Sequence, residues 1–570
     1  MRHPWPKDTP FTRVVLEVEE EVCATCGRPL QVCDHRRHRI FTLQGPVELV
    51  CKLAHCCDRG CAAHAQTLSP YAETTFTLPW WLIGGDVFCW LGHRRFARHG
   101  SVPPLRAELA DSYRIPLSAD ALEDSLGRYQ IMRAARQQDA QVLAAAYRHR
   151  DGLVLSIDGL QPEKGHETLY VVRELNAKRV GFAEALLSSG AEEVRRLLTK
   201  AREGATQLGV PVQLGLSDKQ DAFVTGIAAE FPDVPHRYGA NHFLRDLAKP
   251  MRAVDSRAKV RMRSKVRGLR ALERALLPQR HPPAAVAGTA PPAAAPGTAP
   301  PAVAVADVAR ANPSAGEVPA VAEPAEPGRG VLDYGSVVRG ILNGDQGGPL
   351  QPSGLRRAEA LGEVHASLQR NLDAQRGGGA HAPLQRLAGC IERGLAEVHA
   401  EQEEVRQPRH EVERVARTLD VTRASATQRQ AQFESLQEEF AGKPTPFYGH
   451  RATILARFAV GRFAGGAALA FLQDNLDLER WFRLPKGHER RIHGHRHAGV
   501  RIVQEGPTLM RALDAHQAHP GPFTAEELRP YQDATPPPCQ EEAIHRRKLM
   551  RKARSKKNEP SCCKNWNAGT

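Results

Sequence analysis

Apolar and polar positions change their period several times along the chain, and each change marks an element. Residues 11 to 66 hold a cluster of cysteines, and within them HRIFTLQGPVELVCKL reads as a hairpin turning at Gly45-Pro46. From 75 to 150 the spacing turns helical. PPLRAELADSY, RIPLS and ADALEDSLGRYQ read as helix, short turn and helix, with Ser118 as an N-cap. Such a pair fits a helix-turn-helix, and equally any small helical domain. At 153 short apolar runs begin. LVLSIDGL, ETLYVVREL and KRVGFAEAL are three strand candidates, and AEEVRRLLTKAREGATQLG is an amphipathic helix ending near Gly209. PVQLGLSD, DAFVTGIAAEF and PHRYG follow as strand, helix and short strand. The order β-β-β-α-β-α-β predicts a mixed sheet, parallel in part and covered by helices.

Composition adds a partner class to this pattern. Lys and Arg number 78 against 64 Asp and Glu, a net charge of +14. That balance favours an anionic partner, nucleic acid first among them, although an Arg-rich solvated surface gives the same count. Eleven of the basic residues, against three acids, fall within 245–274. HPPAAVAGTAPP then opens a Pro/Ala-rich tract to about 328, expected to be a disordered or extended linker. A polar helical region spans roughly 355 to 440, apolar residues return at 447–483, and HRRKLMRKARSKK closes the chain as a basic tail. No apolar run is long enough to span a membrane, and MRHPWPKDTP lacks the apolar centre of a signal peptide. A cytoplasmic setting, with reduced thiols, is the expectation.

Seven of the 12 cysteines lie between Cys23 and Cys61, a density that in a reducing compartment points to metal. Cys23-Ala-Thr-Cys26-Gly27 has knuckle spacing, and Cys56 with Cys61 is the best second pair for a tetrahedral Zn²⁺ site. Cys33, His35, Cys51, His55, Cys57 and His64 are also ligand-capable neighbours.

Two acids stand out against the apolar runs. Asp158 ends the first strand of the α/β unit, where an unpaired carboxylate is costly. Asp218 ends the fourth, 60 residues later. If those strands are neighbours, both carboxylates emerge at one sheet edge, where ligands of open α/β sheets gather. Two aspartates so placed fit a divalent-metal site. The plainer alternative makes Asp218 a cap for the helix that follows.

The order of elements, with aspartates on the first and fourth strands, resembles the ribonuclease-H-like core of DDE transposases. DNLDLERWFRLPKGHERRIHGHRHAG, residues 474–499, is similar to the block that closes the catalytic domain in bacterial insertion-sequence transposases. The resemblance implies that Glu479 is the third carboxylate, with Asp474 and Asp477 as competing acids. Leu478, Trp481 and Phe482 at i, i+3 and i+4 would bury one helix stripe, and Glu479 borders it. Pro485 is expected to end that helix, leaving Arg480, Arg483, Lys486, Arg490, Arg491 and Arg496 for phosphates. RYGANHFLRDLAKP is also similar to these enzymes, which usually carry a cysteine shortly before the histidine; none precedes His242 here, so a hydrogen bond from His242 to DNA or to a carboxylate is expected rather than metal ligation.

The organisation implied is multidomain α/β. It comprises a zinc finger over 11–66, a helix-turn-helix-like domain over 75–150, and a ribonuclease-H-like core over 151–250. A basic and helical insertion follows over 251–445 with its linker at about 281–328, then the closing helix block over 446–505 and a C-terminal region over 506–570. The function implied is binding of terminal inverted repeats, then metal-dependent cleavage and strand transfer. Asp158, Asp218 and Glu479 would hold two Mg²⁺ ions, or Mn²⁺, in a nucleoid-associated oligomer on paired duplex ends. A transposase-derived DNA-binding protein without activity is the second reading.

Overall fold

The computed structural model describes residues 9–161, 167–266, 269–272, 274, 329–344, 348, 350–374, 381–443, 445–466, 476–494 and 500–554. The Pro/Ala-rich tract at 281–328 lies outside them, as do Asp474 and Arg496. The chain divides into two units, Met1–Phe243 with Thr418–Pro444 and Arg451–Thr570, and Leu244–Arg417 with Thr445–His450.

In the first unit β1 (Thr12–Leu16), β2 (Leu30–Thr42) and β3 (Gly45–Cys56) form a sheet of order β1-β3-β2. The hairpin closes at Leu43-Gln44, earlier than Gly45-Pro46, because Thr42 pairs with Gly45 and Pro46 already pairs with Phe41. Gly45 makes this possible with φ of +130°, a conformation closed to residues with a Cβ. Strand β1 was not anticipated; its five residues are too few for a period-2 signal, and parallel pairing with β3 orders them.

The second sheet contains β4 (Leu153–Leu160), β5 (Thr168–Glu174), β6 (Arg179–Leu186), β7 (Val212–Ser217) and β8 (His236–Tyr238), in the order β6-β5-β4-β7-β8. The pairs β4–β5 and β5–β6 are antiparallel, while β4–β7 and β7–β8 are parallel. The chain is mixed α/β, as expected. Central β4 is buried on both faces, which is why LVLSI reads as one apolar run. Leu155 and Ile157 pack towards the helices Ala191–Leu208 and Asp221–Glu230. The first of these buries Val194, Leu197, Leu198, Ala201 and Ala205 as one stripe and stops at Gly209, in the left-handed region at φ +66°. Leu160, Leu169 and Val171 point the other way, onto Leu478, Trp481, Ile502 and Leu509. Asp158 shares the parity of Leu160 and faces the same side.

The helix pair Val102–Tyr113 and Ala119–Gln138 is present, and Ser118 caps the second helix by accepting from Ala121 N–H at 3.1 Å. The C-terminal half of that second helix is core. Tyr129 Oη and His516 Nε2 lie 2.9 Å apart, and Gln130 donates to Thr508 at 2.8 Å. The second unit is helical, with Val338, Leu361, Leu368, Leu387 and Ile391 in its core, and Asp255 accepts from the N–H groups of Gly354 and Leu355 that open the helix Ser353–Ala374.

Candidate active site

Register brings the two aspartates to one level. Ile157 pairs with Ser217 across the parallel β4–β7 ladder, so the next residues, Asp158 and Asp218, stand side by side. Asp158 lies inside its strand rather than ending it, since β4 continues to Leu160, and its Oδ1 accepts from Gly159 N–H at 2.7 Å. Asp218 does not cap the next helix; Gln220 occupies the N-cap position. Instead the Ser217 hydroxyl donates to the Asp218 carbonyl at 2.8 Å, fixing the strand end.

Glu479 arrives from the short helix Leu476–Trp481. Leu478, Trp481 and Phe482 are all buried, the stripe expected from their spacing, and they anchor the helix on the sheet. The following residues depart from expectation. Pro485 does not end a helix; it sits in the first turn of the next one, Arg483–His493, where its missing N–H has no partner to lose. Asp477 turns away from the cluster to Arg173, at 3.1 Å. Buried Arg173 also meets Asp514 at 2.5 Å and lies over the Trp481 ring at 5.1 Å.

His242, in the helix Ala240–Leu247, completes the group. Its Nδ1 contacts Asp218 Oδ1 and lies 3.6 Å from Glu479 Oε1. One donor atom each from Asp218, His242 and Glu479 falls within 4.8 Å of the others. Asn241 donates to Glu479 Oε2 at 3.0 Å. The sequence reading missed Asn241, and only its place beside His242 could have drawn attention to it.

Electrostatics mark the cluster as anionic. Burial, reinforced by the charge of Asp218, pushes the Asp158 carboxyl up to about 7. Burial opposes protonation of His242, but the hydrogen bond and charge of Asp218, with Glu479 and Asp158, prevail and raise its pKa. Both shifts favour the protonated forms of Asp158 and His242, so cation binding at this cluster would compete with protons.

The cysteines make a second centre. Cys23, Cys26, Cys56 and Cys61 converge, with donor atoms within 4.8 Å of one another, and could hold a metal ion. Cys23 and Cys61 Sγ are 3.9 Å apart, and Cys26 and Cys56 Sγ 3.4 Å. Gly27, at φ +70°, turns the knuckle so that its N–H donates to the Cys23 carbonyl at 2.8 Å. N–H groups of Thr25 and Cys26 hold the Cys23 thiol down, to about 6. Of the other ligand-capable neighbours, Cys33 donates to the Leu53 carbonyl, and His64 Nδ1 sits 2.7 Å from the Cys56 carbonyl.

Arg480, Arg483, Arg490 and Arg491 are exposed and Lys486 is half-buried along the two short helices. Among the described residues no helix is long and apolar enough to cross a membrane. No protein-family model matches the chain, and comparison with curated proteins gives no match either.

Proposed function

We propose that this chain is a DDE transposase that binds the terminal repeats of a bacterial insertion sequence and catalyses strand cleavage and strand transfer. One observation carries the reading. Asp158 and Asp218 follow paired residues on adjacent parallel strands, and Glu479, from a helix about 260 residues later, brings a donor atom within 4.8 Å of Asp218 and His242, while Asp158 lies near enough to feel the charge of all three. Central placement of the first and fourth strands supports a ribonuclease-H-like core.

The donors fit hard divalent ions. Oxygen-rich sets suit Mg²⁺ or Mn²⁺, and burial, reinforced by the charge of Asp218, raises the Asp158 pKa, a cost that a bound cation would offset. Asp158, Asp218 and Glu479 would hold the ions, which when bound supply Lewis-acid stabilisation of attacking and leaving oxygens in phosphoryl transfer. His242 stays a partner of the carboxylates, supported by its contacts with Asp218 and Glu479. Asn241 fixes one oxygen of Glu479, and Arg173 draws Asp477 aside, leaving Glu479 as the helix's contribution. The exposed arginines beside Glu479 would bind phosphates and orient the strand.

Zn²⁺ is the metal proposed for the cysteines. Bonds of about 2.3 Å in a tetrahedron set sulfurs roughly 3.8 Å apart, and the two observed separations bracket that value. The finger and the helix pair behind it would engage the duplex ends, and a homo-oligomer would pair two ends in the bacterial nucleoid.

The test is an assay on the element's own DNA ends with Mg²⁺. Cleavage followed by joining of the 3′-hydroxyl to a target supports the reading. Tight binding without cleavage favours the inactive DNA-binding alternative, and cleavage without joining makes the chain a nuclease.

A further inference from the structure

The basic stretch at 245–274 folds into a helix whose open side carries one sign of charge. This helix, Lys249–Lys265, belongs to the second unit. Met251, Val254, Ala258 and Met262 are buried along one side, and Ala258 and Met262 join Leu361, Leu387 and Ile391 in the core of that unit. Asp255, the helix's one acid, is 4% exposed and lies on the same side, accepting from the N–H groups of Gly354 and Leu355 at 2.9 and 2.8 Å. With 3.6 residues per turn, the opposite side presents Lys249, Arg252, Ala253, Ser256, Arg257 and Val260, all of them exposed.

Among the described side chains of this helix, every exposed or half-buried one is basic or neutral. Its cations are not cancelled by neighbours either. Among the described residues, the side chains of Lys249, Arg252 and Arg257 have no ion-pair or hydrogen-bond partner. Arg263 donates to neutral Asn343 at 3.0 Å and keeps its charge. Arg261, at the border of the face, is the contrast: it pairs with Glu397 at 2.9 Å and with Glu401. The nearest acid in sequence, Asp246, is exposed on the preceding helix, Ala240–Leu247. A merely solvated helix face gains by mixing signs at i+3 and i+4, because like charges at those spacings repel. Here Lys249 and Arg252 stand at i and i+3, and Arg257 and Arg261 at i and i+4.

We propose that this face binds the phosphate backbone of duplex DNA through Lys249, Arg252, Arg257 and Arg263, with Ala253 and Ser256 small enough to let the backbone approach. The helix is about 25 Å long and a duplex carries one charge per roughly 1.7 Å of its axis, so phosphates are within reach along the whole face. The proposal rests on the reading of the chain as a DNA-acting protein and gives the helical unit a share of the duplex. An anionic membrane would also attract these cations, but a helix that binds lipid buries its apolar side there. That side is already in the protein core, and Val260, 66% exposed, is the large apolar side chain left outside.

The experiment follows binding of a fluorescein-labelled duplex of scrambled sequence to the full chain by anisotropy, without Mg²⁺, from about 50 to 200 mM salt. A triple variant carrying Lys249→Gln, Arg252→Gln and Arg257→Gln should lower the slope of log K against log salt by about 0.9 for each cation lost. Gln suits a helix as well as Lys or Arg does, so the fold is kept. A variant with Arg252→Lys and Arg257→Lys should keep the wild-type slope, and so should Arg261→Gln, whose charge is already paired. An unchanged slope in the triple variant overturns the proposal, as does an equal loss in Arg261→Gln. A loss confined to the element's own ends overturns the assignment to phosphates. Weaker binding of the triple variant to phosphatidylserine vesicles, with its duplex slope unchanged, overturns the proposal in favour of a membrane surface. If the triple variant keeps its slope while wild type cuts and joins the element's ends, the helix face fails and the transposase reading stands. If the slope falls as expected but wild type never cuts, the face stands and that reading fails.

Discussion

Burial, with the charge of Asp218 beside it, makes Asp158 a source of pH-dependent stability. Its folded pKa of about 7 lies above the ordinary value of 3.8. A raised carboxylate contributes stability below the unfolded pKa and loses it as pH climbs through the folded one. Metal-free protein should therefore become less stable between about pH 4 and pH 7, and Asp158→Asn should flatten that slope. Melting temperatures in chelator at pH 5 and pH 8 check this: the variant's advantage should grow with pH, and a constant difference contradicts it. Asn241 acts on the same centre at one remove. Asn241→Ala should slow cleavage about 10- to 100-fold in single-turnover measurements, the range for loss of a group that orients a ligand, with duplex binding unchanged. Unchanged cleavage would show that Glu479 needs no such support. Asp158 and Asp218 stood out in sequence because an aspartate at the end of an apolar run is costly without a partner, whereas Glu479 was singled out through the resemblance. Asn241 and Arg173 were not, because their importance lies in contacts from 238 and 304 residues away.

At the scale of elements, the α/β core was readable because each unit had its own period and its own stop. Gly209 ended the amphipathic helix as a left-handed C-cap, and the buried run of β4 announced a central strand. The departures have local causes: a positive φ at Gly45 moved the hairpin turn, and a proline in a first turn allowed a second helix where an end was expected. The ligand pairing of the finger was ambiguous in sequence because six neighbours could also ligate, and only folding of the hairpin brings Cys56 and Cys61 to Cys23 and Cys26. Purified protein should hold one zinc ion per chain by elemental analysis. Cys23→Ser should lose that ion and weaken end binding, whereas Cys33→Ser should keep both. Retention of zinc in Cys23→Ser would move the site to the neighbouring thiols and imidazoles.

Across the whole molecule, the proposed reading gives the positive charge and the acid cluster one task, holding a polyanion against a cation site. End binding should fall steeply with salt, and Arg490→Ala should lower the slope of log K against log salt by about 0.9 per lost phosphate contact. An unchanged slope would remove Arg490 from the DNA path. The central claim is that three acids from distant parts of the chain form one catalytic centre, and Glu479 tests it best because Asp477, two residues away, turns to Arg173 instead. The most direct measurement compares Mg²⁺-dependent cleavage of the element's ends by wild type, Glu479→Gln and Asp477→Asn. Cleavage by wild type and Asp477→Asn, with binding but no cleavage by Glu479→Gln, is the predicted result. Equal cleavage by Glu479→Gln and wild type would contradict it.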